Sequence, residues 1–348
     1  MKKLIFTVLM GLSALSLFAK DQFVGFYEGE IKGPGAEKSP IFSKNNKIFA
    51  EVYRDKDIYR LKLQSSVLSP DIQIYSVSEN LSAKGDGIDL KDSGDFKLNG
   101  KITSKKITAK GKGDDGGDIQ INLKRLNIKP KTRGAKPPKG AIVLFDGKNT
   151  DKWEMFQDGA PATWDIEGDA MLVKWNVNKG LIENPKDIYE DHYDSSIRTK
   201  DAFGGPFRLH VEYMPIEPFY GEWQMRGNSG IFIDSHEVQV LDSFGDPNTS
   251  AQHAASIYAR IPNPYPTSLE PDVWQTYDIE FAPATYDDNG KLQNLPTITV
   301  YHNGILVHDK VQPEQDMERQ YPTQVRIMLQ DHLCPLAYRN IWLLPLDK

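Results

Sequence analysis

The feature that most limits this chain is its period of two. In "GPFRLHVEYMPI", Phe207, Leu209, Val211 and Tyr213 fall on one face and Arg208, His210 and Glu212 on the other, the pattern of a strand buried on one side. "QTYDIEFAPA" and "TITVYHNGILVHD" repeat it, and Asn303-Gly304 between two such runs signals a hairpin. "VRIMLQDH" and "RNIWLLPL" close the chain. Upstream, "QFVGFYEGEI", "KIFAEVYRD", "IYRLKLQSS", "DIQIYSVS", "GDFKLNGKI", "KITAKGKG" and "DIQINLKRL" read as short strands parted by Gly85, Gly87, Gly94, Asn99 and Gly100. That upstream region contains no stretch of helical period. The expected fold is all-β, two packed sheets preceded by a smaller β domain.

The 348 residues suggest about two domains. Met1 to Ala19 pairs Lys2-Lys3 with an apolar run and a small residue, which reads as a secretory signal cut after Ala19. The expected location is therefore the periplasm or outside the cell. No cysteine near the cut supports a lipid anchor, and no second apolar segment is long enough to be a transmembrane anchor. Residues 20–126 form the small β domain. "NIKPKTRGAKPPKG", residues 127–140, has five basic residues, three prolines and no acid, the composition of an extended, solvated linker. Residues 141–348 form the sandwich. Cys334 is the sole cysteine, so no disulfide forms within the chain. A formal charge of −6, or −8 without the two leader lysines, argues against nucleic acid as a partner.

The segment "RGNSGIFIDSHEVQVLDSFG" presents Glu237 and Gln239 on one face of a strand and Val238 and Val240 on the other. A carboxylate beside an amide suits acid/base chemistry, although an outer strand with a solvated polar face looks the same in sequence. Arg226 offers fixed guanidinium donors to an oxyanion or sugar oxygen, with a structural ion pair as the alternative. Asn228 could bind a hydroxyl, but "GNSG" is also an ordinary tight turn.

"LFDGKNTDKWE", "RGNSGIFI", "EVQVLDSFG", "SIYARIP", "PDVWQTYDIEF", "TVYHNGILVHD" and "LQDH…YRNIWLLPL" occur in the order found in the bacterial 3-keto-disaccharide hydrolase family, which residues 140–348 closely resemble. The resemblance implies a concanavalin-like jelly roll with a carbohydrate groove on its concave sheet. One departure is "LQDHLCPLAYRN": relatives commonly carry Gly-Asn where this chain has Leu333-Cys334.

Such a family acts on a glycoside oxidised to a ketone at carbon 3. The hydrogen on carbon 2 is then acidic, because its removal gives an enolate. The sugar or alcohol on carbon 1 leaves by β-elimination, and water adds to the double bond. This chemistry needs a base, a proton donor for the glycosidic oxygen and a donor facing the enolate oxygen. Glu237 is the first candidate for acid/base work, Arg226 for the enolate, and His332 the second base, beside an Asp331 that can orient its ring and counts as substrate-binding. His253 lies in a loop suited to binding. Trp223 and Tyr258 are the candidates for stacking on a sugar, among six tryptophans that mostly belong in the core. His302 reads as turn chemistry, and His192, His210, His236 and His308 as surface or satisfied residues.

The chain has no HExxH, no paired cysteines and no acidic calcium loop. An enolate mechanism is nonetheless compatible with a divalent metal ion, for which Glu237, His332 and Asp331 are the conceivable ligands. No phosphate-binding glycine loop or serine elbow is present, so an upstream sugar oxidoreductase has to supply the ketone. Two other readings share the fold. A conventional glycosidase needs two carboxylates about 5 Å apart, and Gln239 stands where the second would be. A carbohydrate-binding module needs no catalyst at all.

Overall fold

The computed structural model describes residues 21–39, 42, 45–173, 195–216, 223–246 and 249–346. The leader, Trp175 and His192 lie outside the described residues. In the first unit, nine antiparallel strands run from Ile74–Leu81 at one edge, through Ile58–Gln64, Lys47–Asp55, Gly25–Lys32, Asp118–Leu126, Lys106–Lys112, Leu98–Thr103 and Gly87–Ser93, to Ala83–Lys84. The sheet curls until its ends meet: the Asp95 N–H donates to Ser76 Oγ at 3.0 Å. Curling puts one face of the longer strands inside, and Tyr27, Ile31, Ile48, Leu61, Ile88, Leu98 and Ile121 fill it.

The second unit is two sheets packed face to face. The larger runs Asp165–Glu167, Ala170–Leu172, Leu336–Pro345, Phe207–Pro215, Gln275–Ala282, Thr297–His302, Ile305–Val311, with Ile142–Phe145 also paired to Leu336–Pro345. The smaller runs Trp153–Met155, Ile197–Thr199, Ile327–Leu329, Ser229–Ile233, His236–Val240. Between them lie Phe207, Leu209, Val211 and Tyr213 from the larger sheet and Ile231, Val238, Val240 and Ile327 from the smaller, as the period of two requires. The chain is therefore a jelly-roll β-sandwich preceded by a smaller all-β unit. Asn303 and Gly304, at φ 53° and 80°, make the two-residue turn between His302 and Ile305. His302 itself is buried between the sheets, 2.7 Å from the Tyr213 hydroxyl.

Residues 127–140 depart from a solvated spacer. Thr132 Oγ1 donates to Thr276 Oγ1 at 3.1 Å, the Gly134 N–H donates to Glu212, and Asn340 Nδ2 donates to the Ala135 carbonyl at 2.9 Å. The cause is a buried carboxylate on the outer face of the larger sheet. Burial opposes the charge on Glu212, but hydrogen bonds from His210, Asn340, Gly134 and Arg339 hold its carboxyl at about 2. The basic segment is thus strapped across the sheet where it supplies one of those donors.

The two units are joined by more than this strap. Phe244 and Leu269 of the sandwich belong to the hydrophobic core of the first unit, and Phe244 meets Phe26 edge-on at 5.2 Å. Glu51 accepts the Gly245 N–H at 3.0 Å, while Lys62 Nζ donates to the Gly245 carbonyl and lies 3.3 Å from Glu51. A buried charge pair that also satisfies both backbone groups of one glycine fixes the first unit against the loop that follows His236–Val240.

Candidate active site

The outer face of the smaller sheet carries the carboxylate that the sequence singled out. Glu237 pairs across the ladder with Phe232, and Gln239 with Gly230. Because Gly230 has no side chain, Glu237 can lie over it: a Cβ there would overlap Glu237 Oε1 and the Phe232 ring. Burial pushes the Glu237 carboxyl up to about 8. One end of the Gln239 amide sits 2.9 Å from Glu237 Oε1. An amide offers an acceptor or, turned over, a donor, so Gln239 can serve both the acid and the carboxylate form of Glu237.

Gln239 is itself buried at 1% exposure and held from two sides. Its amide nitrogen reaches Asn228 Oδ1 at 3.2 Å and Gln224 Oε1 at 3.3 Å, or, turned over, faces Glu237. Its backbone carbonyl accepts the Tyr277 hydroxyl at 2.7 Å from across the core. Asn228, also buried, donates to the Gln224 carbonyl at 2.6 Å and to Gln224 Oε1 at 3.0 Å. It therefore secures the turn around Gln224 and backs Gln239. Along the outer edge of this strand, the half-buried Tyr258 donates its N–H to the Glu237 carbonyl at 2.9 Å, which places it beside the carboxylate's strand.

Arg226 takes a different position. Its Nε donates to Asp242 Oδ2 at 2.5 Å, and both side chains line a cavity of about 260 Å³ with Trp223 and His253. Asp242, two residues beyond the end of His236–Val240, is taken up by this ion pair. Trp223 is 42% exposed and meets the His253 ring edge-on at 4.6 Å. His253 is buried between Ser250 Oγ at 2.8 Å and Asp246 Oδ2 at 3.0 Å. The seven binding and catalytic candidates between residues 223 and 258 thus divide between Glu237's sheet face and this cavity, with Gln224 touching the first and its neighbour Trp223 lining the second.

Asp331 and His332 lie just past the end of Ile327–Leu329. The Asp331 carboxylate accepts from Ser195 Oγ and, at 2.8 Å, from the Leu333 N–H, and His332 is half-buried. Leu333 has φ 60°, in the left-handed region that favours glycine. The buried Cys334 thiol, raised to about 12 by burial, accepts the backbone N–H groups of Asn228 and Gly227. The departure at Leu333-Cys334 therefore ties this loop to the turn that holds Gln239. Among the described residues, no three His, Cys, Asp or Glu side chains converge on a point where a metal could sit, so Glu237, His332 and Asp331 do not form that set.

Gln224, Gly230 and Tyr277 were not singled out in the sequence. Gly230 had the one available signal, a glycine inside a strand pattern, which marks close approach of another group. Tyr277 gave none, because its hydroxyl reaches Gln239 across the whole thickness of the core.

The family model of the 3-keto-alpha-glucoside-1,2-lyase-like domain matches residues 140–344. The chain belongs to this family. That match begins at the end of the strap and covers every residue of the site above, which makes the protein a member of a carbohydrate-active family. Among solved structures, a Parabacteroides distasonis protein assigned as a glycosyl hydrolase is 32% identical over 60% of this chain and 85% of its own, with a TM-score of 0.49. A second from the same organism is 17% identical over 60% and 95%, at 0.41. The alginate lyase vAL-1 from a Chlorella virus is 13% identical over 58% and 92%, at 0.31. No curated protein matches the chain.

Proposed function

We propose that this lyase-like family member cleaves 3-keto-glycosides by removing the proton on carbon 2. The reading is carried by Glu237: a carboxyl raised to about 8 by burial, seated over Gly230 beside an amide that suits either protonation state. Near neutral pH such a group is a far stronger base, once ionised, than an ordinary carboxylate. It takes the carbon 2 proton, the electron pair passes into the carbon 3 carbonyl as an enolate, and collapse expels the carbon 1 oxygen. That oxygen needs a proton, which the newly protonated Glu237 or a neighbouring hydroxyl can return. Water then adds at carbon 1 to give the free 3-keto-sugar. His332 remains the candidate for a second proton carrier, while Arg226, paired with Asp242 in the cavity beside Trp223, is left to substrate binding rather than to the enolate.

Conventional glycosidase chemistry has less support. Gln239 is the near neighbour of Glu237, and Glu154 on the same sheet is engaged by Arg198 at 2.9 Å and Arg326 at 2.8 Å. In the reading proposed here the mature protein works in the periplasm or outside the cell, downstream of a sugar oxidoreductase. The direct test offers it an aryl glucoside and the same compound oxidised at carbon 3. Release from the ketone alone supports elimination; equal release from both overturns it, and release from neither points to a binding module.

A further inference from the structure

The cavity beside Trp223 is built by both units. One wall is Tyr53, Arg54, Asp55 and Arg60 of the first unit, and the other Trp223, Arg226, Asp242 and His253 of the sandwich. The family match starts at residue 140, so the first of these walls lies outside the family domain. The units meet here in a fixed way: the Tyr53 ring occupies the space a Cβ on Gly245 would need, and Gly245 stands at φ 86°. The loop from Asp242 to Asp246 is thus moulded to the first unit at one end and joined to the strand of Glu237 at the other.

The cavity's chemistry suits a neutral polyol. Arg54, Arg60 and Arg226 are balanced by Asp55, Asp242 and Asp246, leaving paired donors and acceptors of the kind that bind vicinal hydroxyls, without the net charge that would select an anion. Trp223 supplies an apolar ring face and is held at φ 54°, a costly conformation for an aromatic residue of the kind found at ligand sites. A volume of about 260 Å³ fits a single sugar ring better than an extended chain. Gln224, next to Trp223, touches both Asn228 and Gln239, so the cavity adjoins the reacting centre.

We propose that this inter-unit cavity is the subsite for the leaving group, holding the second sugar of a 3-keto-disaccharide between Trp223 and the arginines of the first unit. The proposal rests on the reaction proposed above and assigns a substrate-binding role to the N-terminal unit. It commits the substrate class to disaccharides or sugar-like aglycones.

Arg54→Ala and Trp223→Ala test it, in the full mature chain, with a 3-keto-disaccharide and methyl 3-keto-glucoside compared. Arg54 is a gentle change, being half-exposed with its Nε on the Lys56 carbonyl. Each variant should lower kcat/KM for the disaccharide about tenfold or more relative to the methyl compound. An unchanged ratio in both variants overturns the subsite, as does an equal fall for both substrates, which would mark mere support of the fold. If the unaltered protein turns over neither ketone, the proposed reaction fails on its own. The subsite is then decided by calorimetric titration with a plain glucosyl-glucose disaccharide: binding weakened by both substitutions upholds it, and absent or unaltered binding overturns it.

Discussion

The carboxylate of Glu237 occupies the space that a side chain on Gly230 would fill. The two residues lie on adjacent strands, and the empty position lets a long acidic side chain fold back over the sheet, away from water. Gly230→Ala is therefore expected to displace Glu237 while leaving the inner face of the strand intact. Turnover should fall at least ~10²-fold, the lower end for a positioned acid or base. Near-normal turnover in a folded Gly230→Ala protein would separate Glu237 from the chemistry.

The same burial makes Glu237 a stability liability that grows with pH. Its folded value of about 8 lies above the ordinary carboxylate value, so its contribution is favourable only while it stays protonated and is lost as pH rises toward about 8. Glu237→Gln, a neutral mimic of the acid, should raise Tm more at about pH 8.5 than at about pH 5. A Tm gain that is the same at both pH values would mean that the carboxylate is solvated.

Lys62 and Glu51 should couple the two units. Lys62→Met leaves Glu51 buried without its cation, which typically costs about 3–5 kcal/mol. The expected result in calorimetry is one unfolding transition splitting into two, as the first unit loosens from the loop at Gly245. A single transition with unchanged Tm would show that the apolar contact of Phe26 with Phe244 suffices alone.

The strap predicts a protease pattern. Lys139 is exposed, whereas Arg133 is half-buried beside the Trp274 carbonyl. Limited trypsin digestion should cut at Lys139 before Arg133, and Glu212→Gln should expose Arg133 to cleavage. Early cutting at Arg133 in the unaltered protein would contradict the strap.

Much of this was legible in the chain, for a physical reason. Alternation fixes which face a residue takes, so the inward set Phe207, Leu209, Val211, Tyr213 and the outward pair Glu237, Gln239 could be read locally, as could the turn at Asn303-Gly304. What depends on contacts distant in sequence could not. The placement of Tyr53 against Gly245, the Tyr277 hydroxyl on Gln239, and the Gly134 N–H on Glu212 each join segments that no local pattern relates. The linker composition pointed to solvation because a basic, proline-rich run cannot build a core, yet it can still satisfy a buried carboxylate on someone else's sheet. Arg226 was read as the enolate contact from its guanidinium donors, with an ion pair as the alternative, and the pair with Asp242 turns it to the cavity.

The central claim is that Glu237 removes the proton on carbon 2. The most direct measurement incubates methyl 3-keto-glucoside with the protein in deuterium oxide and follows carbon 2 by NMR, across pH and with Glu237→Gln alongside. The account requires deuterium entry at carbon 2 or a slowed reaction of the carbon-2-deuterated compound, a rate that climbs with pH and levels near about 8, and loss of both in the variant. Cleavage of the ketone with neither deuterium entry nor an isotope effect, or exchange undiminished in Glu237→Gln, would contradict it.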